Sequence, residues 1–257
     1  RLMKPKTLEG MIYILLIYVL VGAVLFFYQR KLIYFPTANI PHNYDQLQLT
    51  HENVTLEIIV LNQGKKEAIL YFGGNAEAVV YSAEDFLSVF PLQTVYLLNY
   101  RGYGGSSGQP SEAGIFADAL FLFDKVLDKQ AIISVIGRSL GSGVATYLAS
   151  KRPVEKMALI SPFDSITSVA QNIYMIFPVF LMLLDKYDSI SRVKEIEAKT
   201  IILVAEHDEV IPRKHSQRLI DEFPPEQISV KIIADSGHND ISNKVEYYQH
   251  LKDFFND

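Results

Sequence analysis

The chain has 257 residues, enough for one large α/β domain with a core of its own. Its net charge of -5, without a basic stripe, argues against a nucleic-acid partner. Because it contains no cysteine, disulfides, a thiol nucleophile and a cysteine-based metal site are excluded.

An apolar segment from Met11 to Tyr28 carries no charged residue and can just span a hydrocarbon core as a helix. A cleaved signal peptide, with a small-residue site at 21–23, and a helix buried in the domain are the alternatives. The apolar run continues past Ala23, which favours a single-pass membrane anchor over residues 1–28. The basic residues Lys4 and Lys6 before the segment only slightly favour an inside N-terminus and an extracytoplasmic main domain.

After a proline-marked connector (29–48), apolar strands alternate with helical stretches through the domain at 49–257. This alternation predicts a mostly parallel sheet covered by helices on both faces, with ligands at the carboxyl ends of the strands. The predicted strands are Val54–Leu61, Glu67–Phe72, Thr94–Asn99, Ala131–Ile136, Lys156–Ser161, Thr200–Ala205 and Ser229–Ala234. The predicted helices are Ala76–Phe90, Ser111–Asp128, Ser139–Ser150, Arg213–Phe223 and Asp240–Phe255.

The fourth predicted strand runs into Gly137-Arg138-Ser139-Leu140-Gly141, a Gly-x-Ser-x-Gly pattern followed by a helix. Such a turn between strand and helix exposes the serine hydroxyl at the edge of the sheet. A serine hydroxyl is a weak nucleophile unless a histidine takes its proton and a carboxylate orients that histidine. Ser139 is therefore the candidate nucleophile.

The partners of such a serine should follow in the order acid, then histidine, each in a loop after a strand. Asp208, near the apex of the loop after Ala205, is the predicted acid, and Glu206 is the alternative. His238 lies in a glycine-marked loop after the last strand and is the predicted base. His207, next to the acid, is its strongest competitor.

Backbone N–H groups must also stabilise the negative oxygen that forms during acyl transfer. One candidate donor is Leu140, the residue after the serine. The second should come from the loop after Phe72, where we favour Asn75, with Gly74 next. Asn75 could instead serve as the N-cap of the following helix.

Together these motifs resemble the α/β-hydrolase superfamily, and within it the Bem46-like, ABHD13/ABHD17-type branch. The resemblance also covers 29–36, 99–104, 109–112, 161–163, 183–189, 210–212 and 236–238. It implies the same Ser139, Asp208 and His238 triad, ester or thioester hydrolysis, and membrane association; some relatives remove palmitate from proteins. The family usually has His-Gly-Asn-Ala-Gly where this chain has residues 73–77, so Glu77 changes the charge beside the donor loop.

The segment at about 163–190 is the predicted cap over the site, and it contains an apolar run too short to span a membrane. Phe163, Phe177 and Phe180 are its predicted substrate-binding residues; a buried helix pair is the alternative. We expect a membrane-anchored serine hydrolase of esters or thioesters that needs no metal or organic cofactor. Its partners would be the lipid bilayer and an acyl substrate. The rival interpretation is a catalytically silent hydrolase fold used as a membrane scaffold.

Overall fold

A computed structural model describes residues 5–256, in which one sheet has eight strands in the order β1-β2-β4-β3-β5-β6-β7-β8. The strands are β1 (Asp45–His51), β2 (Val54–Leu61), β3 (Glu67–Phe72), β4 (Gln93–Leu98), β5 (Ile132–Arg138), β6 (Lys156–Ile160), β7 (Lys199–Ala205) and β8 (Ile228–Ile233). β2 pairs antiparallel with β1 and β4, and every other pairing is parallel. The mostly parallel sheet predicted from the sequence is confirmed.

Helices lie on both faces of this sheet, except for the long N-terminal helix. They are α1 (Pro5–Ile33), α2 (Ala83–Val89), α3 (Glu112–Leu127), α4 (Leu140–Ala149), α5 (Ile166–Ile173), α6 (Val179–Met182), α7 (Arg213–Glu222) and α8 (Val245–Asn256). Short 3₁₀ turns occupy Val79–Ser82, Ile190–Glu195 and Ile241–Asn243. α5 and α6 lie in the segment 163–190, which we call the cap.

Two apolar layers, one on each face of the sheet, make the core. Neighbouring residues of a strand point to opposite faces, so Ile58 belongs to one layer and Ile59 to the other. The first layer includes Leu122 of α3 and Leu148 of α4, and the second includes Phe86 of α2. The central strands are buried on both faces, which explains their continuous apolar sequences.

The structure differs from the predicted elements mainly near the N-terminal part of the domain. α1 continues past Tyr28 to Ile33, because no helix breaker precedes Pro36 and the basic Arg30 and Lys31 suit a helix C-terminus. The edge strand β1 was not predicted, because its sequence is largely polar. In the structure its side chains are exposed or half-buried. The predicted boundaries at residues 28 and 48 therefore fall inside α1 and β1, and Lys4 lies outside the described residues.

The helix predicted from Ala76 begins later, as a 3₁₀ turn at Val79 that leads into α2. Ala76 has a φ of 58°, a left-handed conformation that no α-helix can contain. The loop between β3 and α2 is therefore longer and more irregular than predicted. This loop lies beside the candidate nucleophile.

Within α1, the segment Leu8–Ile33 is long and apolar enough to cross a membrane. An 18-residue window within it has a mean hydropathy of 2.6, and only 6% of that window is buried against the rest of the protein. Most of its apolar side chains therefore face outwards. The part that does contact the domain lies toward its C-terminal end, against the cap.

Candidate active site

Ser139 lies at a sharp turn between β5 and α4, with φ 49° and ψ -115°. A non-glycine residue in this conformation carries strain of about 1–3 kcal/mol, which is held only where the surroundings fix it. The Ser139 N–H donates to the Ile160 carbonyl at 2.8 Å and so ties the turn to β6. Gly141 is required because a side chain there would collide with the Phe72 backbone.

The structure brings Ser139, His238 and Asp208 together from three separate loops. Ser139 Oγ is 2.9 Å from His238 Nε2, and His238 Nδ1 is 2.8 Å from Asp208 Oδ2. The histidine and aspartate side chains are only 7% and 2% exposed. This geometry lets the serine hydroxyl donate to Nε2 while the Nδ1–H donates to the carboxylate.

Asp208 is held in its charged form by its neighbours. Burial acts to raise its pKa, but hydrogen bonds from His238 and from the Ile211 N–H, together with attraction to the histidine, outweigh burial and leave the pKa below its ordinary value. The Ile211 and Val210 N–H groups donate to Asp208 Oδ1 at 2.7 and 3.0 Å. The carboxylate is therefore ionised at neutral pH.

The competing residues have different positions. Glu206 accepts a hydrogen bond from the Asp235 N–H at 2.9 Å, and Glu209 accepts one from the His238 N–H at 3.1 Å. These carboxylates connect the two loops, whereas the hydrogen-bond partners of the histidine ring among the described residues are Asp208 and Ser139. His207 is exposed and lies 3.8 Å from Glu206.

A second, buried histidine–aspartate pair escaped the sequence analysis. His215 Nδ1 lies 2.9 Å from Asp164 Oδ1, and both side chains are 1% exposed. The other ring nitrogen of His215 contacts Asn172 of α5. This pair joins α7 to the cap, and only spatial proximity reveals it, because the two residues are far apart in sequence.

The predicted donor loop lies next to the serine: a side chain at Gly74 would approach Ser139 Cβ to 3.6 Å. Within the described residues, the N–H groups of Leu140 and Asn75 donate to no protein acceptor. The Gly74 N–H, by contrast, donates to Glu77 Oε2 at 2.7 Å. Gly74 is thus unavailable as a donor, because Glu77 already occupies its N–H.

Glu77, the departure from the family pattern, organises this loop. Its carboxylate also accepts hydrogen bonds from Tyr71 and Ser82, and it lies 3.6 Å from Arg138. The Asn75 side chain does not cap a helix. It accepts from the Phe35 N–H at 2.9 Å and donates to the Ile33 carbonyl, which connects the loop to the end of α1.

A cavity of about 300 Å³ opens against Ser139 and Leu140. Its lining is mostly apolar and comes from α1, from the cap and from the acid loop. The lining residues beyond Ser139 and Leu140 are Leu25, Phe26, Gln29, Leu32, Ile33, Asn75, Phe163, Ile166, Val169, Ala170, Ile173, Tyr174, Phe177, Val179, Met182, Leu183, Val210 and Ile211. Phe163 and Phe177 thus lie in the cavity wall, and their contact with substrate stays a prediction.

Phe180 is different, and its prediction as a substrate-binding residue is not supported by its position. It is 59% exposed on the outer face of the cap and does not line the cavity. The sequence could not distinguish the two faces of α6, since both are apolar. The contribution of α1 to the cavity was also not predicted.

Comparison with known proteins places these features in context. The family described as "alpha/beta hydrolase fold" matches residues 67–190. An uncharacterised protein of Mycobacterium tuberculosis is 32% identical over 237 residues, covering 85% of this chain and 84% of that protein. The protein bem46 of Schizosaccharomyces pombe is 28% identical over 262 residues, covering 90% and 86%.

Two further similarities come from proteins with stated activities. The lysophosphatidylserine lipase ABHD12 of Bos taurus is 33% identical over 175 residues, covering 60% of this chain and 44% of that protein. The esterase Pf2001 of Pyrococcus furiosus has a similar structure, with a TM-score of 0.69 at 14% identity, covering 87% of this chain and 97% of the esterase. The latter similarity concerns the fold alone.

Proposed function

Because the chain belongs to the α/β-hydrolase family and is a Bem46-like hydrolase, we propose that it is a membrane-anchored serine hydrolase of carboxylic esters or thioesters. The observation that carries the proposal is the hydrogen-bonded series Ser139–His238–Asp208 at the mouth of an apolar cavity. The cavity would hold the apolar acyl group, with its carbonyl carbon at Ser139. A lipid or an acylated protein could supply such a group.

In the proposed reaction, His238 Nε2 takes the proton of Ser139 as Oγ attacks the acyl carbon. Asp208 keeps the Nδ1–H directed at itself and stabilises the imidazolium that forms. The N–H groups of Leu140 and Asn75 stabilise the negative oxygen of the tetrahedral intermediate. His238 then protonates the leaving alcohol or thiol, and water cleaves the acyl-enzyme by the same route.

The membrane anchor in this proposal is α1. Its apolar span from Leu8 to Ile33 is mostly exposed to the outside, whereas a helix of a soluble core would be buried. Basic residues lie on both sides of the span, so the positive-inside rule only slightly favours an extracytoplasmic catalytic domain.

The test is replacement of the nucleophile in the chain with α1 retained. Ser139→Ala should abolish labelling by a fluorophosphonate and lower acyl hydrolysis by at least about a thousandfold. The substrates are p-nitrophenyl esters from acetate to palmitate and their thioester counterparts. Ser150→Ala, at the far end of α4, is the matched control and should retain wild-type labelling.

Unchanged turnover in Ser139→Ala would refute the proposed nucleophile. Wild-type protein that neither reacts with the probe nor cleaves any ester, under conditions that label a control esterase, would favour the scaffold interpretation.

A further inference from the structure

The C-terminal end of α1 is attached to the candidate catalytic loop. The Ile33 carbonyl accepts a hydrogen bond from the Asn75 side chain, and the Phe35 N–H donates back to that side chain at 2.9 Å. Tyr34, which lies between these two residues, is 3% exposed, and its hydroxyl lies 3.1 Å from that of Tyr187. The helix therefore ends within the active-site wall and is not joined to it by a free linker.

Between Tyr18 and Gln29, closer to its N-terminus, α1 packs against the cap. The Tyr18 ring stacks on Phe177 with 4.7 Å between ring centres, and its hydroxyl donates to the Ile176 carbonyl at 2.9 Å. Gln29 is buried, donating to the Met182 carbonyl at 3.2 Å and accepting from the Leu184 N–H at 2.7 Å. At a rise of about 1.5 Å per residue, these contacts fix about 22 Å of helix between Tyr18 and Ile33.

The cavity that reaches Ser139 lies between this part of α1 and the cap. Leu25 and Ile33 are among its lining residues on the helix, and Ile173 lies on the cap side. Some lining residues are also well exposed: Phe26 at 37% and Leu32 at 48% on α1, Ile173 at 68% on the cap, and Val210 at 47% on the acid loop. Residues that line a cavity and also reach the surface mark its opening, so the opening is bordered by α1, the cap and the acid loop.

The surface around this opening is strongly apolar. On the cap, Met175, Ile176 and Leu181 are 78%, 74% and 72% exposed. This patch adjoins α1 through the Tyr18 contact and continues its apolar surface. Exposed apolar surface of this kind is typical of a membrane-contacting face.

We propose that α1 is a wall of the acyl-binding site, and that the substrate is a lipid whose acyl chain enters sideways from the bilayer between α1 and the cap. This inference rests on the proposed hydrolase function. The substrate contact assigned to Leu25, on the anchor itself, makes that residue a determinant of acyl-chain specificity.

The first experiment places a larger side chain in the cavity wall formed by α1. Leu25→Trp should lower kcat/KM for the long-chain p-nitrophenyl esters at least about tenfold relative to the acetate ester. Leu20→Trp is the matched control, because Leu20 is on the same helix, is 65% exposed and does not line the cavity. Circular-dichroism spectra and unfolding temperatures that match those of the wild type show that both variants are folded.

The second experiment uses the absence of tryptophan from the whole chain. Ile176→Trp then carries the only indole, and its fluorescence should be quenched in phosphatidylcholine vesicles with brominated acyl chains. Tyr81→Trp, an equally exposed site at 73% but outside the cap, should not be quenched.

The outcomes separate the two proposals. A wild type that cleaves no ester refutes the proposed function and this inference with it. If the wild type is active and the two tryptophan variants show the same dependence of kcat/KM on ester chain length, only the role of α1 as an acyl-binding wall is refuted. An unquenched Ile176→Trp refutes entry from the bilayer.

Discussion

Asp208 keeps its charge in a nearly closed pocket because donors surround its carboxylate. Loop N–H groups bind Oδ1, and His238 contacts both oxygens. These interactions lower its pKa against the opposing effect of burial. The folded state therefore favours the ionised carboxylate more than the unfolded chain does.

This difference predicts a pH dependence of stability. A carboxyl group with a lowered folded pKa stabilises the fold above its unfolded pKa, about 3.9, and loses that contribution as the pH falls through the folded pKa. We expect the difference in unfolding free energy between wild type and Asp208→Asn to shrink below about pH 5. Urea unfolding in detergent at a series of pH values measures it.

The exposed Asp253→Asn variant of α8 is the control for general effects of acid. A difference between wild type and Asp208→Asn that stayed constant to pH 3 would contradict the charge assigned to Asp208 in the fold.

At the residue scale, the candidate triad could be predicted because its residues follow the strands in a fixed order along the chain. Ser139, Asp208 and His238 each follow a strand, and parallel strands bring such loops to one edge. The sequence did not show that Glu77 would take the Gly74 N–H, because that contact depends on a local backbone turn. Nor could it place Phe180 on the outer face of the cap.

At the scale of elements, the contact between α1 and the cap depends on a buried amide. Gln29 is 7% exposed; its side chain donates to the carbonyl of Met182, the last residue of α6, and accepts from the Leu184 N–H just after it. A buried polar group that loses its partner costs about 1–3 kcal/mol. The central strands were predictable because burial on both faces makes them uniformly apolar, whereas β1 lies at the edge and lacks that pattern.

Gln29→Ala should therefore loosen the cap from α1. We expect the unfolding free energy to fall by about 1–3 kcal/mol and limited proteolysis within residues 173–184 to accelerate. Gln217→Ala is the control, since Gln217 makes its side-chain hydrogen bond to Asp221 on the exposed surface of α7. Equal proteolysis of the two variants would show that Gln29 does not hold the cap.

At the scale of the whole molecule, the sheet places the candidate site at the same end as α1. Strands β3, β5, β7 and β8 all run toward that end, so the loops that follow them bring the donor loop, Ser139, Asp208 and His238 together there. The general arrangement was predictable from alternating strands and helices. The position of α1 was not, because the apolar pattern of its sequence does not indicate which surface of the domain an exposed apolar helix contacts.

Membrane attachment through α1 can be tested on the intact protein. The wild type should stay with membranes after alkaline carbonate washing, whereas Leu16→Asp combined with Leu20→Asp should be released. Each charge costs about 2.5–3.5 kcal/mol near the centre of a spanning helix. Leu127→Asp, at an exposed site on α3, is the control and should stay bound. Release of the wild type would exclude a spanning anchor.

The hydrogen bond between the Asn75 side chain and the Ile33 carbonyl limits how far Ser139 can move relative to α1. In a protein held in the bilayer by α1, the nucleophile cannot rise on a flexible tether, because the last residue of the helix is fixed to the loop beside it. Ser139 would then work at one depth, set by the C-terminal end of the apolar span. Such an enzyme would select lipids by the depth of their scissile bond along the membrane normal. Two esters with identical acyl chains but different linkage depths would then be cleaved at different rates.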